Sequence, residues 1–117
     1  MTIAIIGSRE GLRWSEVKKG IEIILSRPDV GMVVSGGALG VDRLGESMAL
    51  AAGKMTHVIR PDWRKFGRRA GMLRNAEIVD MADEVHAFWD GKSPGTAGAI
   101  AIAKRARKPI FIYEVPA

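Results

Sequence analysis

The stretch Val33–Gly45 reads VVSGGALGVDRLG. Two β-branched residues run into a glycine pair, Gly40 follows, and Asp42 stands just beyond. An apolar strand that stops on glycines and resumes at helical spacing reads as a strand-to-helix turn of a parallel sheet. Such turns leave main-chain amides unpaired at the helix start, where the dipole favours an anion. The stretch therefore bears on both the fold class and the position of a ligand. WDGKSPGTAGAI, Trp89–Ile100, repeats the pattern later in the chain.

Outward from that turn, the same two periodicities alternate. TIAII, residues 2–6, is a continuous apolar run that reads as a buried parallel strand. Trp14, Val17, Ile21 and Ile24 follow at helical spacing, and SRPD ends that helix, because proline restricts the residue before it. GMVVS, 31–35, is the second strand. Val41, Leu44, Met48 and Ala52 mark the second helix, which Gly53 stops. MTHVI, 55–59, is the third strand, and a connection runs from Arg60 to Gly67. The third helix is predicted over 68–81, with Met72, Ala76 and Val79 on one face. EVHAFW, 84–89, a helix over 96–107 and PIFIYEV, 109–115, complete the order βαβαβαβαβ. This predicts a three-layer, Rossmann-like α/β fold with a five-stranded parallel sheet in the order 3-2-1-4-5. In that order the sheet reverses between strands one and four, and ligands bind at the carboxyl ends beside the reversal.

The bulk numbers agree with one domain over residues 1–117. A chain of 117 residues buries roughly two-thirds of its unfolded surface, enough for one thin core. Its 47% apolar content fits a globular chain. It has no cysteine, hence no disulfide, thiolate metal site or thiol nucleophile. No apolar run approaches the roughly 18 residues of a membrane span, and MTIAIIGSRE lacks the basic segment of a signal peptide, so a cytoplasmic location is the expectation. The net charge of +5 favours anionic partners. Two clusters carry it: RPDWRKFGRRAGMLR, 60–74, in and around a connection, and KRARK, 104–108, at a helix end where cations suit the dipole.

Four turns are expected to face one crevice. In the first, Gly7 frees the backbone, Ser8 offers a hydroxyl and Arg9 a fork of donors suited to phosphate or carboxylate. In the second, Ser35, Gly36, Gly37 and Gly40 shape an anion site, and Asp42 either orients a ribose hydroxyl or water or serves as a helix-start residue. The third supplies Arg74 and Asn75, with Trp63 and Phe66 as aromatic surfaces for a base or a lid; core packing against a sheet edge is the other reading of Trp63. The fourth supplies Asp90, Gly91, Ser93, Gly95 and Thr96, the last also a sensible N-cap. Lys92 is either a point charge or merely exposed. The second turn lacks the Gly-Lys-Ser/Thr ending of a nucleotide-triphosphate loop, and no G-x-G-x-x-G follows the first strand. His57 and His86 have no carboxylate at metal-site spacing, and Ser8, Ser35 and Ser93 have no convincing histidine and acid relay. Neither a metal nor a cofactor is called for.

GSR, SGGALGVD, GMLRN and WDGKSPGT, in this order and over Ile3 to about Tyr113, resemble the compact Rossmann-like domains of the SLOG superfamily, especially its short YspA-like members. That superfamily also holds the Lonely Guy phosphoribohydrolases and the DprA proteins. The resemblance implies a nucleotide or nucleotide-derived ligand. Similarity to the Lonely Guy motifs implies an arginine role for Arg74 in MLR and aligns Gly95 and Thr96 with Pro-Gly-Gly-x-Gly-Thr-x-x-Glu. The glutamate of that motif falls on Ala99, which leaves Asp42, Asp62 and Asp90 as carboxylates. Similarity to the DprA turn Ser-Gly-x-Ala-x-Gly-Ile-Asp, matched from Ser35 to Asp42, implies a single-stranded nucleic-acid role.

Three readings follow from the residues and the resemblance. The chain binds or senses a nucleotide at the sheet's rim. Alternatively it hydrolyses an N-glycosidic or phosphate bond of nucleotides, with Arg74, Asp42 and Asp90 as candidate catalytic residues. Alternatively it binds single-stranded nucleic acid through the two basic clusters. No membrane partner is expected, and a helix face is open to pairing with a second copy.

Overall fold

The computed structural model describes residues 1–117. Its elements run β1 (Thr2–Gly7), α1 (Trp14–Leu25), β2 (Met32–Ser35), α2 (Val41–Ala51), β3 (Met55–Val58), α3 (Trp63–Phe66), a 3₁₀ turn (Gly67–Arg69), α4 (Ala70–Met81), β4 (Glu84–Trp89), α5 (Pro94–Arg105) and β5 (Ile110–Glu114). All strand pairs are parallel, and the order is β3-β2-β1-β4-β5, as expected from the sequence. No helix is long and apolar enough to cross a membrane.

The alternation of side chains along β1 splits the core in two. Ile3 and Ile5 point to the α1/α2 face, where they meet Val17, Ile21, Val33, Val41 and Phe88. Ala4 and Ile6 point to the α4/α5 face, with Val34, Ile78, Val79, Val85, Ala87, Ala99 and Ala103. α1 buries Val17, Ile21, Ile24 and Leu25, the stripe its spacing predicts. Truncating a fully buried residue such as Phe88 to alanine would cost about 3–5 kcal/mol.

Several helix faces differ from the sequence reading. α2 buries Val41, Asp42, Gly45 and Ala49; Leu44 and Met48 only flank that core and Ala52 is exposed. A Cβ on Gly45 would come within 2.8 Å of Ile5 Cγ2, so the tight stripe is the one with the smallest residue. α4 buries Ala70, Ile78 and Val79, whereas Met72 and Ala76 face outward, because its first turns direct Arg74 and Asn75 to the sheet's rim. α5 begins at Pro94, with Ser93 as N-cap residue, so Thr96 lies inside the first turn. Proline suits that position, where its missing N–H has no helical partner anyway. The strands at the two sheet edges are not fully covered: Met55 on β3 and Phe111 and Ile112 on β5 stay exposed. A continuous apolar run signals a parallel strand but does not say whether it lies at an edge.

The two histidines part company. His57 is exposed on the edge strand β3. His86 is buried, 3.0 Å from Glu84 through Nε2 and 2.9 Å from the Tyr113 hydroxyl through Nδ1. An ionised carboxylate only accepts, so Nε2 carries the proton and Nδ1 accepts from Tyr113.

Candidate functional site

Parallel strands and short turns bring the ends of β1, β2 and β4 to one rim. Gly40 is needed there for geometry: its φ is +86°, and a Cβ would lie 2.6 Å from main-chain atoms of Ser8 and Arg9. The first and second turns thus touch backbone to backbone, and the Val41 N–H donates to the Ser8 carbonyl at 3.3 Å. The first and fourth turns are tied by the Asp90 N–H, which donates to Ser8 Oγ at 3.2 Å.

Two adjoining cavities open at this rim. The first, about 410 Å³, is lined by Gly7, Ser8, Arg9, Asp42, Arg74, Asn75, Asp90, Ser93, Gly95 and Thr96 among the residues singled out from sequence. The second, about 290 Å³, is lined by Gly36, Gly37, Arg60, Pro61 and Trp63 and shares Arg9, Ala38 and Arg74 with the first. Glu10 and Arg60 were not singled out as site residues from sequence. Arg60 was visible only as the first member of a basic cluster, and Glu10 as a charge next to Arg9.

Several of the sequence candidates line neither cavity, Asp62, Phe66 and Lys92 among them. Ser35 is buried and its hydroxyl donates to Glu46 of α2, so it lines neither cavity. Gly40 packs on the first turn. Gly91 is exposed near Glu114 of β5. The cluster Lys104–Lys108 sits at the carboxyl end of α5, at the opposite end of the parallel sheet from the cavities; Lys108 Nζ donates there to the Ala82 carbonyl at 2.9 Å. Only the cluster around residues 60–74 reaches the rim.

Two amides of the glycine turn are taken up within the fold. The N–H groups of Gly36 and Ala38 donate to Asp42 Oδ2 at 3.1 and 3.3 Å. Asp42 is 5% exposed. Burial pushes its carboxyl up to about 6, against the pull of the Ala38 amide, Arg74 and the Gly36 amide. The fold has placed its own carboxylate where the sequence pattern suggested a ligand anion.

Arg74 crosses over Gly36. Its Nη1 donates to the Gly36 carbonyl at 2.7 Å and its Nε to Asn75 Oδ1 at 2.9 Å. Burial pulls its pKa down, Asp42 opposes that, and Arg9 adds to it; an arginine nonetheless stays charged. Asp90 braces its turn through one oxygen: Oδ1 accepts from the N–H of Ser93 and of Lys92, at 2.7 and 2.9 Å, and from Ser93 Oγ at 2.9 Å. Those donors, Ser93 first, hold its carboxyl down at about 2. Trp63 is 56% exposed, so it belongs to the rim and not to the core.

The charge balance separates the two cavities. The first mixes Arg9 and Arg74 with Glu10, Asp42 and Asp90. The second holds Arg9, Arg60 and Arg74 and no carboxylate. Three guanidinium groups beside an exposed indole are suited to phosphate oxygens and a flat ring.

No family model matches the sequence. The fold is similar to that of DNA processing protein A from Helicobacter pylori, a structure that describes that protein's single-stranded DNA binding mode, with a TM-score of 0.75 and 23% identity. The match covers 96% of this chain and 64% of that one, so the chain spans less than two thirds of it. At that identity the likeness shows the fold, the Rossmann-like architecture expected from the sequence. In sequence the chain is 33% identical over 118 residues to the Gene 61 protein of Mycobacterium phage D29, covering 95% of this chain and 94% of that protein. On that near full-length similarity, the chain belongs to the family of the Gene 61 protein.

Proposed function

We propose that the chain binds single-stranded nucleic acid at the carboxyl rim of its sheet, with phosphates on Arg9, Arg60 and Arg74 and a base against Trp63. The observation that carries this reading is the second cavity: three arginines, no carboxylate and an exposed tryptophan. Backbone charge dominates the affinity of such binding, and stacking on an aromatic ring tolerates any base. The likeness to DNA processing protein A supports it, since the matched structure describes that protein's single-stranded DNA binding mode. Hydrolysis of nucleotides finds less support. Asp90 Oδ1 accepts three bonds from its own turn, Ala99 stands at the place of the Lonely Guy glutamate, and Asp42 is bonded to two amides.

A second reading, a free nucleotide, is favoured by the size of the first cavity and by α5, whose starting amides have no side-chain cap. Fluorescence anisotropy of an oligothymidylate of about fifteen nucleotides, titrated between about 50 and 200 mM salt, tests both. Arg60→Ala should lower the slope of log K against log salt by about 0.7, the value of one single-strand phosphate contact. Trp63→Ala should cost about 1–3 kcal/mol of binding and leave stability within about 0.5 kcal/mol, because the ring is exposed. Displacement of the oligomer by a nucleoside monophosphate at equal affinity would favour the free nucleotide. No binding even at low salt would remove the nucleic-acid reading.

A further inference from the structure

We propose that the segment Trp63–Arg69 is a second nucleic-acid surface, which carries the strand out of the cavities and lengthens the footprint by several nucleotides. The inference rests on the nucleic-acid reading above and extends it to residues outside both cavities.

No residue of α3 or of the 3₁₀ turn is buried. The segment nevertheless has a defined shape that it makes by itself: Asp62 Oδ1 accepts from the Lys65 N–H at 3.1 Å and caps α3. Asp62 is the one carboxylate beside the stretch, and Arg64, Lys65, Arg68 and Arg69 are exposed and form no ion pair with it or with any other carboxylate. Two aromatic rings sit among them. Trp63 lines the second cavity, and Phe66, three positions on and 41% exposed, lies beyond its edge with Lys65 Nζ 5.1 Å from the ring centre. Core packing explains neither ring. An exposed aromatic pair beside four cations and a single carboxylate is complementary to a polyanion whose units each carry a flat face.

Continuity names the occupant. The segment begins at the arginine-lined cavity, so a strand seated there with a base on Trp63 has Phe66 and the four cations directly ahead of it. At about 1.5 Å per α-helical and 2 Å per 3₁₀ residue, with a turn at Gly67 between them, the seven residues extend at most roughly 12 Å. That is room for about three nucleotides at ~3.4 Å of stacked spacing.

The test is a length series of oligothymidylates, from about two to about twelve nucleotides, against the full chain. The wild type should gain affinity with length past what the cavities hold. The triple variant Arg64→Ala, Arg68→Ala, Arg69→Ala should bind the shortest oligomers as the wild type does. It should bind the longest about 100-fold more weakly at about 0.1 M salt, because three lost phosphate contacts lower the salt slope by about 2. The pair Lys104→Ala, Arg105→Ala, at the far end of the sheet, should change neither. A triple variant that weakens short and long oligomers equally, or no more than the far pair does, overturns the footprint and leaves the cavity reading standing. Absence of binding at every length overturns both. An acidic protein captured by the segment while long oligomers bind normally to the triple variant would also overturn the footprint.

Discussion

Replacing Asp42 by asparagine tests the account of the glycine turn most directly. An ordinary aspartate titrates near 3.8, and burial moves this one to about 6. At about 1.4 kcal/mol per pH unit, the difference corresponds to about 3 kcal/mol. The sign follows from the direction. A raised carboxyl pKa means that the folded chain holds the proton more tightly than the unfolded chain. Its contribution to stability is full below about pH 4 and is lost as the pH rises through about 6. His86 runs the other way: burial lowers its pKa, so its contribution is present at higher pH and is lost as the pH falls below the ordinary histidine value of 6.5. The wild-type profile therefore contains two opposing slopes, and Asp42→Asn removes one of them. The asparagine oxygen can still accept from Gly36 and Ala38, so the turn keeps its bonds without the charge. Urea midpoints of both proteins between about pH 4 and pH 8 give the readout. The variant should gain about 3 kcal/mol relative to the wild type across that range, or about 1–3 M in relative midpoint. A difference that stays flat within about 0.5 kcal/mol would refute the reasoning, because Arg74 and the two amides would then fully offset burial of the carboxylate.

Gly36→Ala should dislodge Arg74, since the new Cβ would sit 2.6 Å from Nη1 and 2.9 Å from Asp42 Oδ2. Losing the charged hydrogen bond to the Gly36 carbonyl should cost about 1–2 kcal/mol, seen as a lower melting temperature, with about tenfold weaker oligonucleotide binding. Unchanged binding would show that the placement of Arg74 does not matter. Gly7→Ala strikes the fold instead. Its Cβ would collide with the Phe88 carbonyl, a main-chain atom that cannot swing aside. We expect a loss of more than about 3 kcal/mol by chemical denaturation, or no soluble protein; a near-normal midpoint would contradict the close approach of β1 and β4.

The strand order was legible because short, largely apolar strands alternate with single helical segments, so local pattern and global topology agree. The short helix α3 was not. Its four residues are too few for periodicity, and the capping role of Asp62 shows only once Lys65 is placed above it. The glycine turn was legible, and Asp42 was open to two roles, orienting a ligand or starting the helix. Asp42 was visible six residues after Gly36, yet only the fold shows its carboxylate turning back onto the amides. Ser35 was misplaced for a related reason: a residue at a strand's end belongs to whichever face the pleat gives it, and here that face meets Glu46 of α2. Arg60 was hidden in a run of charge, where sequence alone cannot tell a rim residue from a solvated one.

The unequal filling of the two core faces has a consequence for how the protein can change. On the α1/α2 side isoleucine, valine and phenylalanine make a deep layer, where shaving a methyl, as in Ile→Val, costs about 0.5–1.5 kcal/mol. On the α4/α5 side Ala82, Ala87, Ala99 and Ala103 make a shallow one, where an added methyl costs about 1–3 kcal/mol. Growth on the shallow side would also lift the helices that carry Arg74 and Thr96 off the sheet. Added volume should therefore be held back beneath α5, because there a change of volume becomes a change of aim.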